Sequence, residues 1–211
     1  AGFATVLCVL WWSLAKSTVR GTSEFQIKDF GGILKDRYVW VLLLFLIACM
    51  GSYDTLATWM PKVLEMKTLS KALASLLPLG FFVAGPIVGL VSDRFRNRRL
   101  IIGLLGIVAA AAIVGINYAP FPFLLLCLFL VGFTITGVLT ISLAIPAQHK
   151  RLSASVGSVV GLISSLSNVG PLVMPVLFGF LIDVTHTFYA SVFSVAILAG
   201  VTFIAGSRIK E

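Results

Sequence analysis

An all-α transmembrane bundle is what the composition and charge placement of this chain demand. Charged residues make up 11% of the sequence and apolar residues 59%, with a mean hydropathy of +1.06. A water-soluble domain carries roughly 25% charged residues, so this chain cannot surround itself with water. Long uncharged segments recur along it, each close to the roughly 20 residues that cross a bilayer as a helix. Between two of them lies Gly89-Leu-Val-Ser-Asp93-Arg94-Phe95-Arg96-Asn97-Arg98-Arg99, with four Arg and one Asp. A cation at the centre of a spanning helix costs about 2.5 to 3.5 kcal/mol on insertion scales. This block therefore marks a turn outside the hydrocarbon.

The elements follow in order from charge-free length. Ala1 to Ala15 is apolar and ends at Lys16. As a helix it rises about 22 Å, short of the roughly 30 Å core, and reads as a partial spanning helix. A signal peptide would carry its basic residues before the apolar run and not after it. Residues 16–37, with Glu24, Asp29, Asp36 and Gly31-Gly32, form a charged linker with a weak amphipathic pattern suited to the membrane surface. Six full spans then follow: Tyr38 to Met60, Leu69 to Ser92, Leu100 to Tyr118, Phe121 to Ala147, Ala154 to Ile182 and Thr187 to Gly206. The third and fourth are separated only by Asn117-Tyr-Ala-Pro-Phe-Pro122, whose prolines demand a short turn. Residues 207–211 form a basic tail.

Orientation follows from the basic residues. With the Arg94 to Arg99 turn placed in the cytoplasm, alternation of six spans puts the linker, Lys150, Arg151 and the tail on the same side. Of the 16 Lys and Arg, only Lys62, Lys67 and Lys71 fall on the other. That is the positive-inside pattern, and it points to a multi-pass protein of the cell membrane. The formal net charge of +8 thus reflects topology and not nucleic-acid binding, since no basic stripe interleaved with aromatics is present.

A charged cytoplasmic linker, six helices, and an Asp-Arg turn between the second and third resemble the C-terminal half of a major facilitator superfamily transporter. The family's loop motif runs Gly, three residues, Asp-Arg, a spacer with Gly, then paired basic residues. Gly89, Asp93, Arg94, Arg98 and Arg99 match it, while Arg96-Asn97 stands where the second Gly would be. Asn tolerates the left-handed backbone that Gly provides. The resemblance implies a six-helix half bundle, helices 7 to 12, preceded by the end of helix 6, with the N-terminal half of the same transporter as partner. It implies a conformational latch in the five matched residues, a substrate site near the midplane between halves, helices 7, 8, 10 and 11 around the cavity, and helices 9 and 12 toward lipid. Tyr53 with Trp59-Met60-Pro61, and Gly157-Ser-Val-Val-Gly161 with Asn168-Val-Gly170 and Gly179-Phe-Leu-Ile-Asp183, are similar to a branch that moves small organic or inorganic anions.

Asp54 is the one carboxylate inside these spans, about 9 Å below Met60. An intramembrane carboxylate marks a functional site, here for a coupling proton or cation. The bland alternative is a shallow carboxylate hydrated from the outer vestibule. Gly157, Gly161, Ser164, Ser165 and Asn168 share one helical face, suited to close helix packing. Tyr53, Ser164 and Asn168 join Asp54 as candidates for substrate or coupling, Asn168 because its amide both donates and accepts. Thr136 and Thr140, which share a face with Gly132, are further substrate or coupling candidates, but Thr hydroxyls also bond back to their own helix. Pro78, Pro86, Pro171 and Pro175 each threaten a backbone hydrogen bond.

Cys8, Cys49 and Cys127 lie in apolar runs without metal-ligand or disulfide spacing, His149 and His186 fall on opposite sides, and no catalytic pair or phosphate loop occurs. The chain is expected to need no metal or cofactor and to have no catalytic residue. Its partners are a small solute, a coupling proton or cation and the lipid bilayer, as in a secondary active symporter or antiporter. A non-transporting seven-helix receptor or scaffold is the remaining alternative.

Overall fold

The computed structural model describes residues 2–14, 37–95, 98–146 and 156–207. They are almost entirely helical. Helix α1, Gly2–Leu14, has 13 residues and falls in a unit, Ala1–Gly32, separate from the bundle. The linker and tail, and with them the amphipathic segment, Lys150, Arg151 and His149, lie outside the described residues, as does the side chain of Cys8.

The bundle begins with α2, Arg37–Met66. A 3-10 turn, Lys71–Ser75, leads into α3, Leu76–Phe95. Then come α4, Arg98–Tyr118, α5, Phe121–Ala144, α6, Val156–Ser167, α7, Val169–Thr185, and α8, Tyr189–Ser207. Five stretches are long and apolar enough to cross a membrane: Val39–Met66, Lys71–Ser92, Leu100–Tyr118, Phe121–Ala144 and Val156–Thr185. Helix α8 is a further apolar helix.

Two elements differ from the sequence reading. The first span runs beyond Met60, because Pro61 does not end α2. The residues after it form helix readily, and Val63 and Leu64 are fully buried, so burial offsets the hydrogen bond that Pro61 cannot donate. The helix ends at Thr68, whose φ of 60° is left-handed, with the Leu69 N–H donating to the Leu64 carbonyl at 2.9 Å. A β-branched residue is strained there. Thr68→Gly should raise thermal stability in detergent by about 0.5–1 kcal/mol, and an unchanged or lower melting temperature would contradict that account.

The span Ala154 to Ile182 is not one helix. It breaks at Asn168 into α6 and α7. Pro171 is the cause, since its ring collides with the carbonyl four residues earlier, that of Ser167, and it has no N–H to donate. Pro78 and Pro171 each occupy the third position of their helix, where the N–H would have no intrahelical partner. Only Pro61, Pro86 and Pro175 therefore interrupt a ladder.

Helix α2 is the axis of the bundle, with 61% of its span buried. It packs against α5, α6, α7 and α8, while α3 lies mainly on α5, and α4 lies on α5 and α8. In lipid, close backbone approach and interhelical hydrogen bonds replace the hydrophobic drive, and glycines make the approach possible here. A Cβ on Gly132 would strike the Leu77 carbonyl, and one on Gly80 the Phe129 carbonyl, at the crossing of α3 and α5. Gly170 lies against the Ile47 carbonyl and Gly51 where α7 crosses α2. Buried hydroxyls bond to their own helices, as Ser52 to the Ala48 carbonyl at 2.7 Å and Ser142 to that of Val138 at 2.7 Å. Cys49 is a buried free thiol whose Sγ donates to the Ile135 carbonyl at 3.4 Å.

Trp59 joins α2 to α7. Its Nε1 donates to the Pro175 carbonyl at 2.9 Å, and its ring fills the space left by the missing side chain of Gly179. Trp59→Phe keeps an aromatic ring but removes the donor. It should lower stability by about 0.5–1.5 kcal/mol, the scale of a hydrogen bond between helices in lipid, measurable as a lower melting temperature of the purified protein.

Candidate functional site

The half-buried face of α2 carries Met50, Tyr53, Asp54 and Ala57, at helical spacings that align them. Tyr53 packs on Phe81 of α3 with the rings tilted by 43°, centroids 5.0 Å apart. Met50 receives a hydrogen bond from Ser167 Oγ to its sulfur at 3.2 Å, and Gly51 abuts Gly170. Asp54 thus lies on α2 between the edge facing α3 and the edge facing α7. We call this half-buried face of α2, bordered by Phe81 of α3 and by Ser167 and Gly170 of α6–α7, the trough. Because α2 continues to Met66, Asp54 stands about 18 Å from the end of its helix, twice the depth the sequence reading assigned. Its carboxylate is half-exposed and has no hydrogen bond or ion pair among the described residues.

The other candidates distribute unevenly. Ser164 is half-buried and Asn168 exposed, both at the helix break. Asn168 Nδ2 donates to the Ser164 carbonyl at 2.8 Å, which leaves its oxygen as an outward acceptor. Pro171 has no N–H to donate to the Ser167 carbonyl, so the break removes that helical bond. Non-helical backbone of this kind is tolerated at membrane depth where it is covered by protein or lines a wet cavity. The break was missed in the sequence reading, although the signal was present in Pro171.

Thr136 is buried and its hydroxyl donates to the Gly132 carbonyl at 2.8 Å; that of Thr140 donates to Thr136 at 2.9 Å. Both hydroxyls are engaged by their own helix, and the structure does not bring Thr136 to the trough. The centre of the bundle, between Cys49, Ser52, Gly106, Ile135 and Ala199, holds a void of about 10 Å³, the size of one water. No solute fits there.

At the Arg-bearing end, Gly89 has no atom within 4 Å of the position a Cβ would take. Arg94 is exposed and Arg98 half-buried, while the side chains of Asp93 and Arg99, and Arg96-Asn97, lie outside the described residues. At the opposite end, Lys67 Nζ donates to the Asn117 carbonyl at 2.9 Å and lies 5.3 Å from the Phe188 ring centroid. Burial holds its pKa below the ordinary lysine value. This contact ties the ends of α2 and α4 to the turn before α8. His186 is the exposed left-handed cap of α7. Among the described residues no cluster of His, Cys, Asp and Glu could hold a metal ion.

The sequence pattern of the Major Facilitator Superfamily matches residues 67–209, more than half of the chain. The chain belongs to the major facilitator superfamily. An uncharacterized protein of Archaeoglobus fulgidus is 27% identical over 218 aligned positions that take in 99% of this chain and 97% of that protein. Solute carrier family 22 member 7 of Bos taurus is 31% identical over 135 residues, 61% of this chain and 23% of the bovine protein. This major facilitator half bundle is thus a multi-pass membrane transport protein, as its loop motif implied. The family match begins at Lys67 and leaves out α2, so the case for Tyr53 and Asp54 rests on their place in the trough.

Proposed function

We propose that this chain forms one half of a secondary active transporter of the cell membrane that moves a small solute by alternating access. Its Arg-bearing turn, linker and tail face the cytoplasm. The observation that carries this reading is the Tyr53–Asp54 pair on a half-buried face of α2, beside the helix broken at Asn168. Broken helices and their exposed backbone groups mark solute and ion sites in transporters.

The roles divide by chemistry. Asp54 binds and releases the coupling proton or cation, because a carboxylate half-sheltered from water and without an ion partner is readily neutralised by either. Asn168 and Ser164 offer hydrogen bonds to the solute, and Tyr53 an aromatic wall. Gly89, Asp93, Arg94, Arg98 and Arg99 act as the latch that closes the cytoplasmic side in one conformation. An opposing six-helix half completes the cavity, and a transporter of this design catalyses no chemical step. Among small organic or inorganic anions, binding requires a basic side chain from that half, since no Lys or Arg occurs in the middle of the spans described here.

The test is uptake into proteoliposomes under an imposed pH or cation gradient, across a panel of small anions, cations and neutral solutes. Accumulation of one class that depends on the gradient supports the proposal. Absence of both accumulation and exchange for every class, in protein shown to be folded, would refute it.

A further inference from the structure

Resting on the transporter reading, we infer that the coupling ion is a monovalent alkali cation, taken between the Asp54 carboxylate, the Thr58 hydroxyl and the Ala57 carbonyl of α2. Three observations around one turn of this helix carry the inference. The first is Thr58, which is exposed one turn beyond Asp54. Elsewhere in the bundle Thr55, Thr134, Thr136, Thr140 and Thr185 each donate to the carbonyl four residues earlier, at 2.6 to 2.9 Å. Thr58 makes no such bond to the Asp54 carbonyl, and no other hydrogen bond among the described residues. Its hydroxyl is left to donate and accept outward. The second is Pro61, inside α2. It has no N–H for the Ala57 carbonyl four residues earlier, and its ring crowds that carbonyl away from the helix. Ala57 is half-buried, on the face that also carries Asp54. Pro86 and Pro175 release the carbonyls of Phe82 and Pro171 in the same way, but no carboxylate lies within a turn of either. The third is charge. The nearest basic residue along α2 is Lys62, two turns beyond Asp54 and so about 12 Å away, with its ammonium 5.2 Å from the Trp59 ring centroid. The Asp54 carboxylate is thus not neutralised from its own helix.

The chemistry of the donors identifies the ion. Side chains on a helix lean toward its N-terminus, so that of Thr58 reaches back over the turn that bears Asp54. Residues four apart hold their Cβ atoms about 5–6 Å from each other, a gap that a cation with a bound water spans. The released Ala57 carbonyl adjoins Thr58 and adds a third oxygen. Carboxylate, hydroxyl and carbonyl are all hard ligands, the set that suits an alkali or alkaline-earth ion and not a soft metal. A single carboxylate balances a single positive charge, which selects the monovalent ion. The donors rise along α2 toward its Lys62 end, so the ion enters from that side. A coupling proton would need the carboxylate alone, and would give Thr58 and the Pro61 break no part in binding.

The experiment uses the native, full-length polypeptide purified in detergent. Its melting temperature is measured in NaCl, KCl or choline chloride at fixed pH and total ionic strength, and radioactive sodium reports equilibrium binding. Saturable stabilisation by Na+ or K+ over choline is expected. Thr58→Ala should raise the cation dissociation constant about tenfold or more, whereas Thr58→Ser, which keeps the hydroxyl, should leave it near the wild-type value. Pro61→Ala returns an N–H to the Ala57 carbonyl. It should raise the melting temperature in choline while weakening cation binding, a divergence that loss of folding cannot produce. Identical melting in the three salts would overturn the cation site, as would dissociation constants unchanged by Thr58→Ala and Pro61→Ala. Uptake driven by a pH gradient alone, with alkali cations absent, would overturn it too and leave the transporter reading intact. A bound cation with no transport of any solute would count against that reading and not against the site.

Discussion

Asp54→Asn should abolish gradient-driven accumulation of solute and leave solute exchange across proteoliposomes intact. Asn keeps the shape and the hydrogen-bonding capacity of Asp but cannot take up and release a proton, and it carries no charge to hold a cation. The half-exposed position of Asp54 lets the substitution be made without leaving a buried polar group stranded. Loss of accumulation should be complete, because coupling needs the group to change state in every cycle, whereas exchange uses only the solute-bound conformations. Accumulation that survives in Asp54→Asn would remove this carboxylate from the mechanism. Loss of both activities in folded protein would instead make it a solute ligand.

Gly132→Ala carries the largest structural effect. The added Cβ would fall on the Leu77 carbonyl oxygen and crowd the Phe81 backbone N. Backbone cannot swing aside as a side chain can, so α3 and α5 must separate along their whole contact. Overpacking of this kind costs about 3 kcal/mol or somewhat more, and here it opens the most extensive helix pair of the bundle. A much lower melting temperature in detergent is expected, and weaker transport because the α3 wall of the trough moves with it. Gly157→Ala is the control, since its Cβ would meet nothing within 4 Å in the isolated bundle. Equal destabilisation by the two substitutions would show that the α3–α5 crossing is not the close contact described.

The two substitutions expose a limit of sequence reading in this chain. Gly132 and Gly157 look alike in sequence, each a glycine on a small, partly polar helical face. Only the packing separates the occupied notch from the open one. Trp59 shows the same thing. In sequence it belongs to a pattern suggestive of solute handling, yet its indole is engaged by the Pro175 carbonyl and its ring by Gly179. The spacing of Gly157, Gly161, Ser164, Ser165 and Asn168 predicts one helical face, but whether that face touches a neighbour inside the bundle depends on where α2 and α7 cross. At Asn168 the sequence does carry the signal: Pro171 dictates a break one turn earlier, within a stretch whose uniform apolarity otherwise has the pattern of one span.

Composition and the spacing of charges by themselves determined that the chain is a helical membrane protein, where most of its spans lie and which family its loop motif resembles. These are properties summed along the chain, since the transfer of each residue into lipid depends little on its neighbours. Tertiary structure alone decided that Asp54 opens onto a trough, that Thr136 does not reach it, and which glycines are occupied. In lipid an exposed apolar face and a buried one have the same polarity, so the pattern that separates inside from outside in a soluble protein is absent. Which helix meets which is then a matter of shape, and shape appears only once the helices are packed.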